Sequence, residues 1–158
     1  MPQPSFFRED VHVAQVQTIA SVMQANAEHA VRYAQEHFKW DLDYSAPSLE
    51  RVDKIIDVLH VDLPKSFIAK ALKRSAIDEE VWTMAKMWGG YVGETLRRQW
   101  GGRWKTTPSD EGGHADIVLD LPLGRCRPIE HVRRRLSEGT GDGVFAMYTS
   151  LLTQDRGG

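Results

Sequence analysis

The sequence predicts an α+β domain: a helical N-terminal half with a long central helix, a small antiparallel β-sheet (2-3 strands) and two C-terminal helices. Three observations carry this. Apolar residues recur at steps of three and four from Val81 to Leu96, the stripe of an amphipathic helix. Asp116–Leu121 alternates, with Ile117, Leu119 and Leu121 on one face, as a strand does. Glycine and proline clusters punctuate the stretches between.

Taken in order, residues 1–8 form a loose lead-in with two prolines. A first helix is expected over residues 10–38, with Val16, Ile19, Ala20, Met23, Ala27, Ala30, Val31, Ala34 and Phe38 along its apolar stripe. The small residues of its second half let another helix come close. Trp40 and Tyr44 belong to a connector and cover a core edge. Ser45 or Ser48 caps a second helix, with Pro47 tolerated in its first turn and Leu49, Val52, Ile56 and Leu59 buried. Leu63-Pro64 breaks the chain, and Phe67, Ile68, Ala71 and Leu72 suggest a short helix ending near Arg74.

The central helix then begins with a capping-box pattern, Ser75 and Asp78, and acidic residues in its first turn. Val81, Met84, Ala85, Trp88, Val92 and Leu96 form its stripe, and Gly101-Gly102 ends it. Gly89, Gly90 and Gly93 each cost about 1 kcal/mol relative to alanine in a helix. Close packing compensates such a cost. Gly89 and Gly93, four apart, share a face that suits the alanine-rich first helix. The stripe keeps phase across the glycines, so one continuous helix is expected.

A strand over Arg103–Thr107, a turn-rich connector to His114, the strand Asp116–Leu121 and a short strand at Arg125–Arg127 follow. Pro128 opens a helix that buries Ile129, Val132 and Leu136. The glycines at 139–143 end it, Val144–Leu152 forms the last helix, and residues 153–158 fray.

The pattern W-G-x-Y-x-G-E followed by G-G-x-W, present as Trp88-Gly89-Gly90-Tyr91-Val92-Gly93-Glu94 and Gly101-Gly102-Arg103-Trp104, resembles a family of small uncharacterised bacterial proteins, a domain of unknown function. Pro128, Val132, Arg135-Leu136, Gly139, Phe145 and Tyr148 continue the likeness, as does Ser48–Asp53, so it covers roughly residues 48–152. The resemblance implies the helix–hairpin–helix order above but no chemistry. Some members look like immunity proteins that neutralise a partner toxin, and this implies a protein partner.

Composition narrows the function classes. With 158 residues, 41% apolar, one domain over 1-158 is expected. The net charge of −2 offers no general attraction to nucleic acid or an anionic membrane, so neither is an expected partner. Charge is uneven: residues 1–62 hold 5 Lys/Arg against 10 Asp/Glu, whereas residues 97–158 hold 10 against 8. The single cysteine, Cys126, excludes an intrachain disulfide and fits a reducing, cytoplasmic compartment. No secretory signal or membrane-length apolar run is legible.

Candidate site residues centre on Glu94, Tyr91, Trp104 and Arg135. Glu94 has three readings: a surface ion pair with Arg98, a buried pair with an arginine such as Arg135, or an acid serving a ligand or catalysis. Trp88, Tyr91, Trp100 and Trp104 form an aromatic concentration, either core or an interface anchor. His29 and His37, eight apart on a helix, do not make a helical metal pair. Asp53 and Asp57 read as solvated charges, and Arg133-Arg134-Arg135 point in different directions. Cys126 and His114 lack an orienting third group. No catalytic, metal or cofactor motif appears, so no metal or cofactor is expected. The expected function is therefore that of a small cytoplasmic protein-binding module, with an immunity protein as its sharper form. An enzyme or small-ligand binder with a pocket around Glu94 is one alternative, and a structural homo-oligomer such as a homodimer is another.

Overall fold

The computed structural model describes residues 17–63, 74–109, 115–139 and 141–157, with the side chains of 74–77 left aside. Five helices and a three-stranded antiparallel sheet, strand order β1-β2-β3, are described: α1 (Ile19–Phe38), α2 (Ala46–Asp62), α3 (Arg74–Trp100), β1 (Arg103–Thr107), β2 (Asp116–Leu121), β3 (Gly124–Cys126), α4 (Pro128–Glu138) and α5 (Val144–Gly157). The α+β class follows.

Helix α3 is the axis. It runs 27 residues without a break through all three of its glycines, and its most extensive contacts are with α1 on one side and α4 on the other. Trp88, Tyr91, Val92 and Leu96 are wholly buried along it. Each glycine admits a different neighbour, and the structure corrects the expected match with α1. A Cβ at Gly89 would lie 2.6 Å from Ile129 Cα, so this glycine seats α4. A Cβ at Gly93 would lie 2.1 Å from the Trp104 ring, so this one seats the hairpin. Gly90 is the glycine that faces α1, where a Cβ would meet Met23 and Asn26 at 3.1–3.2 Å. The alanine face of α1 (Ala27, Ala30 and Ala34) is buried within the chain.

Several boundaries differ from expectation. Helix α1 starts at Ile19, because the Thr18 hydroxyl accepts the Ser21 N–H at 3.1 Å and caps it. The part of the expected helix before residue 17 lies outside the described residues, as do the short helix around Phe67–Leu72 and the His114 turn. Helix α3 already includes Arg74, so Ser75 lies inside it rather than at its cap. The third strand sits one residue earlier than read. Helix α5 continues to Gly157 instead of fraying from residue 153. Of the two candidate caps, Ser45 and Ser48, it is Ser45 that caps α2, accepting the Ser48 N–H, with Pro47 in the first turn.

The polar face of α2 is not merely solvated. The two Asp53 carboxylate oxygens accept the Val144 and Phe145 N–H groups at 2.7 and 3.0 Å and cap α5 from another helix. Asp57 pairs with Arg135, whose guanidinium also donates to the carbonyls of Gly139 and Gly141. His60 donates from Nδ1 to the Leu136 carbonyl at 2.6 Å. Together α2 clasps the turn between α4 and α5. No described helix is long and apolar enough to cross a membrane.

Candidate binding site at the end of the central helix

Strand β1 leaves α3 through Gly101 and Gly102, both at positive φ (76° and 143°). A Cβ at Gly102 would stand 2.7 Å from the Asp120 carbonyl, so the hairpin closes tightly against the helix end. This reversal lays the Trp104 indole over Gly93. There its N–H donates to Glu94 Oε2 at 3.0 Å. Glu94 is 1% exposed. Arg97, one helical turn on, donates to the same carboxylate from Nε at 2.6 Å and from Nη2 at 3.1 Å. A buried carboxylate requires this kind of compensation.

Glu94 therefore pairs with neither expected arginine. Arg98, four residues on, projects to the other side and lies 3.5 Å above the Tyr44 ring. Arg135 is committed to Asp57 and the α4–α5 turn. The spacing rule allowed both i+3 and i+4 partners, and burial of the Glu94 face selects i+3.

Tyr91 also lies apart from Trp104. Its hydroxyl accepts the Tyr44 N–H at 2.8 Å and donates to Ser48 Oγ at 2.7 Å, and Ser48 in turn donates to the Ser45 carbonyl at 2.6 Å. Burial pushes the Tyr91 phenol pKa up, so the hydroxyl remains a donor. Tyr44, at φ 62°, stacks on Tyr91 with ring centroids 4.8 Å apart. Holding a tyrosine at positive φ is costly, and the network that Tyr91 anchors at the α1–α2 connection compensates for it. Of the four residues singled out from sequence, the structure brings Glu94 and Trp104 together and places Tyr91 and Arg135 elsewhere.

Two arginines that sequence reasoning did not assign to the site complete it. Arg97 is half-exposed, and Arg103 is exposed, with no ion pair among the described residues. Both line a cleft of about 650 Å³ with Glu94, Trp104, Gln24 and the start of α1 at Thr18–Ala20. Arg97 sits three residues from Glu94 on the same helix, which is a legible signal. Arg103 neighbours Trp104 on the strand and so faces oppositely, which is not.

Chemically this arrangement holds and displays. The Glu94 oxygens accept from three donors within the chain, and the outer edge of Arg97 and, among the described residues, the whole of Arg103 remain for a visitor. Burial pushes the Cys126 thiol up to about 12, which favours its protonated form. Among the described residues no group of three His, Cys, Asp or Glu side chains is arranged to hold a metal ion. No protein-family model, curated protein or solved structure matches this chain.

Proposed function

We propose that this chain works by binding another protein, with the cleft beside Glu94, Arg97, Arg103 and Trp104 as the contact. The observation that carries this reading is the internal commitment of the Glu94 carboxylate. It fixes Arg97 and Trp104 in place before any partner arrives, which lowers the ordering cost of association. A guanidinium held this way, as Arg97 is, keeps its outer edge for a partner's carboxylate. The resemblance of the W-G-x-Y-x-G-E and G-G-x-W segments to immunity-like proteins points in the same direction. A toxin in the cytoplasm of a bacterial cell is the sharper form of the proposal.

The cleft volume, about 650 Å³, favours a second reading, a small anionic ligand in the same place.

Affinity capture of the tagged protein from its native cells, followed by calorimetry on the purified hit, tests the proposal. The expected result is one protein partner whose affinity drops at least about tenfold in Arg97→Ala/Arg103→Ala. A small anion that binds at the cleft while no protein does would overturn it in favour of the second reading.

A further inference from the structure

The outward face of the sheet carries a charge pattern that the cleft alone does not explain. Residues directly opposite across an antiparallel ladder share a face. Trp104 faces inward and is buried, so Arg103 and Lys105 face outward. The register sets Arg103 opposite Asp120 and Asp120 opposite Arg125, a row of three across the sheet. Lys105 stands opposite Val118 in the next row, and Thr107 opposite Asp116 in the third. Arg127, just past β3, reaches Asp116 at 3.1 Å. Four cations thus surround two carboxylates.

Their bonding leaves donors to spare. Asp120 receives Arg125 twice, at 2.7 and 3.1 Å, and Lys105 at 3.1 Å. An ammonium carries three donors and a guanidinium five, so Lys105, Arg125 and Arg127 retain most of theirs, and Arg103 retains all of its side-chain donors among the described residues. Val118 is the one apolar side chain of these rows, and it is fully buried, so this face offers no apolar anchor. Arg103 also lines the cleft beside Arg97, so the face and the cleft form one continuous surface.

We infer that the outward face of the sheet docks an extended acidic protein segment with carboxylates at alternate positions. This rests on the protein-binding reading above and deepens it. Arg103 and Lys105 are two apart on one strand, a spacing of about 6.8 Å. An extended segment with an acid at every second residue presents charge at the same interval. A nucleic-acid strand is the rival polyanion; the protein-binding reading favours the peptide, and an oligouridylate control separates the two. Binding without an apolar anchor is fast and salt-sensitive.

The test uses the full chain and a fluorescein-labelled octapeptide of alternating Glu and Ser. An alternating Lys/Ser octapeptide and an oligouridylate of matched net charge are the controls. Fluorescence anisotropy at low salt should show the Glu peptide bound in preference to both. Its affinity should fall at least about tenfold in Arg103→Glu/Lys105→Glu and on raising salt towards 1 M. Amide shifts should fall on residues 103–107 and 116–127. If the reversal disturbs folding, Arg103→Gln/Lys105→Gln carries the test, with a loss of at least about threefold expected. Tighter binding of oligouridylate, no Glu-peptide binding, an affinity unchanged in both variants, or shifts on another face would each overturn the inference. The two readings fail separately. A captured protein that still needs Arg97 while the peptide ignores the sheet would sink this inference alone. Peptide binding as described, with no protein partner, would sink the broader proposal.

Discussion

Replacing the three glycines of α3 with alanine, one at a time, should give three different outcomes from one nominal change. In an unobstructed helix each substitution would stabilise by about 1 kcal/mol. At Gly90 the new Cβ would meet Met23 and Asn26 at 3.1–3.2 Å, so neighbours need yield only a few tenths of an ångström. Gain and crowding nearly cancel, and a change within about 1 kcal/mol of zero is expected. At Gly89 the obstacle is backbone, Ile129 Cα at 2.6 Å, and α4 must lift off α3. Overpacking of this kind costs about 1–3 kcal/mol or more. At Gly93 the Cβ would stand 2.1 Å from the Trp104 ring. The indole must swing away, and its hydrogen bond to the Glu94 carboxylate goes with it. A charge-assisted bond adds about 1.5–3 kcal/mol to the overpacking, so Gly93→Ala should be the costliest, at about 3–4 kcal/mol net. Urea denaturation followed by circular dichroism reads all three, provided the slope with denaturant stays constant. In a Trp104→Ala background the Gly93→Ala penalty should largely vanish, because the clashing ring is gone. Equal costs at Gly89 and Gly90, or a Gly93 penalty that persists without Trp104, would refute this account of α3.

The remaining predictions concern charged groups. Glu94→Ala leaves the buried Trp104 N–H without an acceptor and should cost about 2–4 kcal/mol, whereas Glu94→Gln keeps an acceptor and should cost about half of that. In a Trp104→Phe background the Ala–Gln difference should shrink, as a double-mutant cycle by urea melts would show. Asp53→Ala removes both bonds that cap α5 and should cost about 1–2 kcal/mol, with amide exchange rising first at residues 144–147. Hydrogen bonds from Arg125 and Lys105 hold the Asp120 carboxyl well below the usual carboxylate range. A depressed folded pKa contributes stability that is complete above the unfolded value of 3.8 and is lost as pH falls through the folded one. Native protein should therefore exceed Asp120→Asn in thermal midpoint at pH 7, and the gap should close as pH falls below 3.8. A gap that widens in acid would contradict the pairing.

How much was legible depended on whether local pattern or long-range contact decided the matter. The stripe of α3, the alternation of β2 and the Ser45 cap are local, and they led to the right elements. The glycines of α3 signalled close approach, but helical phase alone could not say which neighbour each one faced, and Gly89 and Gly93 went to α4 and the hairpin rather than α1. Asp53 and Asp57 read as solvated because their partners, the N–H groups of α5 and Arg135, lie some eighty to ninety residues away in sequence. Glu94 and Trp104 were legible as neighbours, because ten residues and a two-glycine reversal bring them together. Tyr91 was not, since its partners come from the α1–α2 connection. The outward charge rows of the sheet depend on register, which composition does not reveal.

The most direct test of the binding account is calorimetric titration of the captured partner into native protein, Arg97→Ala/Arg103→Ala and Glu94→Gln. The account predicts a single protein partner, a loss of at least about tenfold in the arginine variant and only a modest loss in Glu94→Gln. No change with the arginines removed, or complete loss confined to Glu94→Gln in a protein that remains folded, would contradict it and point to chemistry at the carboxylate itself.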